Sequence, residues 1–326
     1  MWQILCRIIF ILLAVSAQSL TALAEDSKIW ASHHLDLGQR FYEARDFSRS
    51  SEEFERALIL IGPAAPLNLQ LKLADSYYLQ GKFNEAQAVI SGRLSSVIAS
   101  PCFGDTKTTV TDPAECIDAK VLLAKSLIQM DAYHSAESTL SDTLTPGTTN
   151  HLSANQATSL AERLSRSRLL LGTALAAQSR LEEAMVQYQA VVTSKSSAPT
   201  YKELARRSEE LIRTFEAEKP YSSRVASLLA AIPGLGHAYS GEYAVAASSL
   251  IVNSALFYLT YDSWKKSQKI PGYSPATAIG WGTLAATFYT ANIYSAGEIA
   301  NRRNDDRRTR LRRGLQDLSL GEDSKF

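Results

Sequence analysis

Between Arg224 and Asn304 the chain carries two long apolar segments, Tyr243 to Tyr261 and Pro275 to Ala296, both free of charged side chains. About twenty helical residues cross a hydrocarbon layer of roughly 30 Å, so each segment is long enough to span a bilayer. Aromatic residues cluster at their ends (Tyr239, Tyr243, Tyr258, Tyr261, Trp264, Tyr273), where interfacial belts place amphipathic rings. The competing reading is two buried helices of a soluble domain, because both segments are rich in Ser, Thr and Ala. Those small residues are informative in themselves. Ala278, Gly282 and Ala286 recur every four positions, with Ser249 and Asn253 available to face them, a pattern that lets helices approach closely in lipid. Asn253 and Asn292 fall at membrane depth, with His237 and Glu298 nearer the ends. We read these four as polar groups paired between helices, each pair worth on the order of 1 kcal/mol; an ion or proton path is the second reading.

Val225 to Ala238 is apolar but too short to span, and Pro233-Gly234-Leu235-Gly236 interrupts it. A proline without an amide donor and two flexible glycines expose backbone groups that need protein partners or an interfacial position. An interfacial helix and a sharp turn into the first span are expected. The run Pro233-Gly-Leu-Gly-His-Ala-Tyr239-Ser-Gly241 resembles the PGxGxxYxG motif that opens a family of small two-helix membrane modules in bacterial envelope proteins. Asn292-Ile-Tyr294, followed by Ala296 and Asn301, is similar to the motif that closes the second helix in some members. The resemblance covers roughly a quarter of the chain, and His237 replaces the commoner Gln. It implies a membrane hairpin whose motif positions here are Pro233, Gly234, Gly236, Tyr239, Gly241, Asn253, Asn292 and Tyr294. It brings no biochemical activity with it.

Met1 to Ala24 has the form of a secretory signal: Arg7, an apolar run from Ile8 to Val15, then Ala22-Leu23-Ala24 ahead of Glu25-Asp26. Cleavage after Ala24 is expected, a retained anchor being the alternative. The mature chain then keeps Cys102 and Cys116, flanking a segment of Gly, Asp, Thr and Pro with no helical period. In an oxidising compartment a disulfide closing that loop contributes roughly 3 kcal/mol. Two free thiols or half of a metal site are the other readings, and the absence of a CxxC spacing or nearby His argues against metal.

From residue 31 to about 217, four segments share one pattern of small and large residues. Leu37-Gly38, Phe41, Phe47, Ser50 and Phe54 correspond to Leu73-Ala74, Tyr77, Phe83, Ala86 and Ile90. The third set is Leu123-Ala124, Leu127, Tyr133, Ala136 and Leu140, and the fourth Leu171-Gly172, Leu175, Leu181, Ala184 and Tyr188. Small residues in these slots let the two helices of a hairpin approach, and the large ones fill the space to the next. The pattern resembles the tetratricopeptide repeat. Long connections are expected at the cysteine loop, at Thr145 to Ser153, and in the run before Leu171, where Arg163, Arg166 and Arg168 mark a solvated region. A helix from Pro199 to about Ala217, charged on one face, is expected to cap the array. The resemblance implies a concave surface, which superposition of the segments lines with Gln39, Tyr42, Asp75, Tyr78, Lys125 and Gln129. Such a groove holds an extended peptide or a partner helix.

The fold expected is therefore all-α: a tetratricopeptide-like helical solenoid (31–217) followed by a two-helix transmembrane hairpin. The signal occupies 1–24, the membrane module 224–304 with an interfacial segment 225–238, and a basic polar tail 305–326. Lys+Arg 34 against Asp+Glu 33 leaves no overall basic field for nucleic acid. Seven arginines between Arg302 and Arg313 instead form a local basic segment suited to anionic lipid headgroups or an acidic partner. A cleaved signal and two spans put repeats and tail on the same extracytoplasmic side. That leaves Lys265, Lys266 and Lys269 inside, as the positive-inside rule favours, although the more basic tail favours the reverse.

Neither a nucleophile-base-orienter set nor a phosphate-binding glycine loop is legible, and the five His are scattered. The reading is a non-enzymatic, membrane-anchored scaffold without cofactor or metal, its repeats in the periplasm at a bacterial inner membrane. Envelope proteins and membrane lipids are its expected partners, with oligomerisation through small-residue faces. The alternative is a component of an envelope transport or membrane-protein insertion machine.

Overall fold

A computed structural model describes residues 27–62, 65–93, 102, 113–144 and 154–321. Every regular element within them is a helix, as expected of an all-α chain. The signal sequence, Pro63 and most of the cysteine loop lie outside the described residues. The chain divides into two compact units, Met1–Glu209 with Leu315–Phe326, and Glu210–Gly314.

The first unit contains α1 (27–43), α2 (Phe47–Ile61), α3 (Leu67–Leu79), α4 (Phe83–Arg93), α5 (Pro113–Gln129), α6 (Tyr133–Ser141), α7 (Ala154–Ala177), α8 (Leu181–Thr193) and the start of α9 (Pro199–Ala217). Four helix pairs share one turn. The residue seven positions after Gly38, Ala74, Ala124 and Gly172 is left-handed in every case: Arg45 at φ 61°, Gly81 at 76°, Asp131 at 59° and Ser179 at 67°. The next residue donates its amide five positions back, Asp46 to Phe41 (2.9 Å), Lys82 to Tyr77 (2.9 Å), Ala132 to Leu127 (2.8 Å) and Arg180 to Leu175 (3.0 Å). These bonds close the end of one helix and aim the chain into the next. Asp46 also caps α2, its carboxylate accepting the Arg49 amide at 3.2 Å.

The small residues sit where close approach demands them. A Cβ on Gly38 would meet the Phe54 ring at 2.6 Å, and one on Gly172 the Tyr188 ring at 2.6 Å. Ala74, Ala86, Ala124, Ala136 and Ala184 are completely buried. Phe54, Ala57, Leu58, Leu69 and Leu73 form one apolar cluster, in which each fully buried Leu or Phe contributes about 1.5–3 kcal/mol. Packing is local in sequence: α2 on α3, α3 on α4, α5 on α6 and α7 on α8, while α3, α5 and α7 also pack in succession.

Cys102 and Cys116 stand at disulfide distance, Cα to Cα 5.5 Å, and both are buried. The run before Leu171 differs from expectation. It is not a connection but the N-terminal half of α7, a helix of 24 residues. Leu160, Leu164, Ser167 and Leu171 continue one helical face upstream of the fourth segment, and that periodicity outweighs the polar composition.

The second unit contains the rest of α9, then α10 (Ser223–Leu229), α11 (Leu235–Tyr239), α12 (Tyr243–Lys269) and most of α13 (Pro275–Leu320). Gly241, at φ 80°, and the Glu242 amide bonded to the His237 carbonyl at 2.9 Å repeat the turn of the first unit between α11 and α12. Among the described residues one helix, Tyr243–Lys269, is long and apolar enough to cross a membrane, and only 17% of its apolar window is buried. The small-residue face of α13 runs through Ala278, Gly282 and Ala285 rather than Ala286, which is exposed. A helix turns once in 3.6 residues, so a strict four-residue step drifts off the contact. α13 continues unbroken through the arginine-rich segment to Leu320. Its last turns belong to the first unit, where the Gln316 amide donates to the Ile128 carbonyl (3.2 Å) and the Tyr133 hydroxyl (3.1 Å).

Candidate functional site

In the first unit α1, α3, α5, α7 and α9 together line a cleft of ≈ 540 Å³. Only these alternate helices contribute to it. Its polar wall is Tyr42 from α1, Lys72 and Asp75 from α3, Asp118 and Lys125 from α5, Ser159, Glu162, Arg163 and Arg166 from α7, and Tyr201 from α9. The Tyr42 hydroxyl donates to the Asp75 carboxylate. The Arg163 Nε donates to both oxygens of Asp118, at 2.9 and 3.0 Å, and its guanidinium also reaches Ser159. Lys125 is buried, its ammonium 5.6 Å from the centre of the Tyr78 ring. Lys72 is exposed and donates to the Gln39 side-chain carbonyl at 2.6 Å.

The residues assigned to the groove from sequence separate into three groups. Tyr42, Asp75 and Lys125 line the cleft. Tyr78 is buried behind it, with its ring 5.5 Å from Phe83. Gln39 lies outside the lining, bonded to Lys72 and to Glu43 at 2.7 Å, and the exposed Gln129 is outside it as well. Lys72, Asp118, Glu162, Arg163, Arg166 and Tyr201 were not legible as groove positions. The Leu160 to Leu171 periodicity that lengthens α7 is the signal that finds Glu162, Arg163 and Arg166. Chemically, the wall presents hydrogen-bond donors and acceptors and charges of both signs, drawn from five helices.

In the second unit the motif residues form a packed helical turn. Gly234 is left-handed at φ 85°, and a Cβ on it would meet the Ala246 carbonyl oxygen at 2.2 Å. A Cβ on Gly236 would meet the Ala226 carbonyl oxygen at 2.1 Å and the Ala230 and Ala296 methyls at 2.9 Å. Gly241 needs only its positive φ, since no atom stands within 4 Å of an added Cβ. The Tyr239 hydroxyl accepts the Ser222 amide at 3.2 Å, and its ring meets Tyr221 edge-on. Pro233 is half-buried between the two short helices, at the turn Gly234 makes.

Of the polar side chains expected to pair between helices, Asn292 and His237 do so, while Asn253 bonds only within α12 and its side-chain oxygen has no partner among the described residues. The Asn292 amide donates to the Ala230 carbonyl at 3.0 Å and accepts from the Ser249 hydroxyl. The Asn253 amide donates to the Ser249 carbonyl at 2.8 Å, and His237 Nε2 pairs with the Ser295 hydroxyl at 3.0 Å. Asn253, Asn292 and His237 are all buried. Tyr294, by contrast, is 71% exposed, and Glu298 is exposed too. Two contacts carry weight that the sequence did not signal. Tyr289 donates to the Ala231 carbonyl at 2.9 Å, and Asn304 grips the Tyr221 backbone with both ends of its amide, at 2.9 and 2.8 Å. No family model, curated protein or solved structure matches the chain.

Proposed function

We propose that this chain is a membrane-anchored extracytoplasmic scaffold. A tetratricopeptide-like solenoid holds a protein partner in the cleft of α1, α3, α5, α7 and α9. A hairpin of α12 and the first half of α13 fixes it to a bacterial inner membrane, with the repeats in the periplasm. The chain acts by binding rather than catalysis.

The lining of the cleft by alternate helices alone carries this reading. Stacked helical hairpins present their first helices to one concave side, where an extended segment meets each in turn. Membrane anchoring rests on α12, whose Leu250, Ile251, Phe257 and Tyr258 are exposed. An apolar surface of that extent is stable in lipid or against a partner, not in water. The first half of α13 suits the same environment despite its threonines. Thr283, Thr287 and Thr290 donate their hydroxyls to carbonyls four residues back, at 2.9, 2.9 and 2.7 Å, so that none of these three donors faces lipid unpaired. Asn292 ties α13 to the Ala230 carbonyl at the end of α10 and to the Ser249 hydroxyl of α12, which favours a structural role over the alternative of a transport or insertion machine.

Photo-crosslinking residues at Leu122 and Ser159, on the cleft, and at Glu85 and Ser138, exposed on second helices, test the reading in living cells. Discrete adducts are expected from the cleft positions alone, abolished by Lys72→Glu with Arg166→Glu. Identical adducts from both sets, or none from the cleft, would refute it.

A further inference from the structure

We propose that α10 and α11 form a re-entrant hairpin, which descends from the repeat-side surface into one leaflet and returns, with its outer face in the acyl chains of that leaflet. This rests on the reading that α12 and the first half of α13 span the membrane.

Three points on the chain are tied at one level. Where it arrives, the Tyr221 backbone is gripped by Asn304, and Glu218 pairs with Arg307 at 3.2 Å. Where α12 begins, Glu242 pairs with Arg303 at 2.6 Å. Arrival at 218–221, the start of the first span at 242 and the exit of the second at 303–307 therefore share one polar layer. The segment 222–241 leaves that layer and comes back to it, so it does not cross.

Its depth follows from its supports. The Ala230 and Ala231 carbonyls, at the turn, accept from Asn292 and Tyr289. Counted back along α13 from Arg303, at ~1.5 Å per residue, these two donors lie roughly 16 and 21 Å inward, while Gly234, packed on the Ala246 carbonyl, lies roughly 6 Å inward of Glu242 along α12. Half of a hydrocarbon core is roughly 15 Å, which places the turn within one leaflet. Broken backbone at that depth requires protein partners for its carbonyls, and these two side chains supply them. The inner face is built of small residues: Ala226, Ala230 and Gly236 are buried, and a Cβ on Gly297 would meet the Ser227 hydroxyl at 2.5 Å. The outer face is Val225, Leu228, Ile232 and Leu235, all exposed. These four carry no polar side chain, and they extend the apolar surface of α12 within a single leaflet. Acyl chains are the occupant that such a face, at such a depth, accepts.

The test uses the full chain in proteoliposomes with its disulfide intact and single cysteines from Ile232→Cys, Lys219→Cys and Gln268→Cys. Each carries an environment-sensitive fluorophore for quenching by lipids spin-labelled at the headgroup or at mid-chain. Unlabelled samples are probed with an impermeant thiol reagent. At position 232, mid-chain quenching should exceed headgroup quenching, with no reaction from either side. Position 219 should react from the repeat side and position 268 from the opposite side. If 268 reacts from the far side while 232 is quenched best at the headgroup, or reacts from the far side, the re-entrant proposal is overturned and the spans stand. If 219 and 268 react from the same side, the spanning reading itself fails, and the re-entrant proposal with it.

Discussion

The three motif glycines are a graded perturbation of the second unit, because each is required for a different reason. At Gly236 a methyl would sit 2.1 Å from the Ala226 carbonyl oxygen, more than 1 Å inside ordinary contact, with the Ala230 and Ala296 methyls closing the other sides. Nothing there is the flexible end of a side chain, so α10 and α11 must separate, and overpacking of this kind costs about 1–3 kcal/mol or more. Gly234→Ala meets the Ala246 carbonyl oxygen at 2.2 Å and also forces a left-handed alanine, adding about 1–2 kcal/mol. Gly241→Ala keeps open space and loses only that same conformational term, about 1–2 kcal/mol. Gly282, with Thr260 Cγ2 at 3.5 Å from an added Cβ, should accept alanine without loss. Thermal unfolding of the purified chain in one detergent, followed by near-ultraviolet circular dichroism, should rank the variants as wild type and Gly282→Ala, then Gly241→Ala, then Gly236→Ala, then Gly234→Ala. Gly241→Ala as damaging as Gly236→Ala would refute the packing argument, reducing the motif to backbone flexibility alone.

Three further predictions concern the first unit. Cys102→Ser should lower its unfolding free energy by roughly 3 kcal/mol, read as a denaturation midpoint that dithiothreitol shifts in the wild type but not in the variant. Lys120 is buried, with its ammonium 3.7 Å from Asp142 and no hydrogen bond; burial pushes its pKa down and Asp142 opposes the shift. Lys120→Met should stabilise the unit by about 1 kcal/mol, and a lower midpoint would mean that the pair is net favourable. Burial alone would raise the Glu137 carboxyl, but hydrogen bonds from Gln178 and Arg180 carry it below the ordinary glutamate value. A depressed carboxyl stabilises the fold above its unfolded pKa, and that contribution fades as pH falls through the folded one. The urea midpoint should therefore rise with pH across the acid range, with a shallower slope in Glu137→Gln; equal slopes would exclude the linkage.

The helix pairs were legible because their slots are local: Gly38 and Phe54, or Gly172 and Tyr188, meet within one pair of neighbouring helices. Pro199 at the first position of α9 was legible for the same reason, since a proline there gives up an amide that has no intrahelical partner. The cleft was half legible. Tyr42, Asp75 and Lys125 follow from superposition, but Tyr78 turned inward because its ring fills the gap to Phe83 and supports Lys125. Arg163 and Arg166 were read as a solvated connection, since charge density masked the period of Leu160, Leu164, Ser167 and Leu171. In the second unit the motif announced a turn. Which residues hold it, Tyr289 on the Ala231 carbonyl and Asn304 on Tyr221, depends on pairings 58 and 83 residues apart that no local pattern encodes.

The account stands most directly on where the cleft lies relative to the membrane. In spheroplasts of cells expressing the full chain, cysteines from Ser135→Cys on α6 and Gln268→Cys at the end of α12 are challenged with an impermeant thiol reagent before and after permeabilisation. A membrane-anchored extracytoplasmic scaffold predicts labelling at 135 in intact spheroplasts and at 268 only after permeabilisation. Protection at 135 until permeabilisation would put the cleft inside the cell and contradict the account.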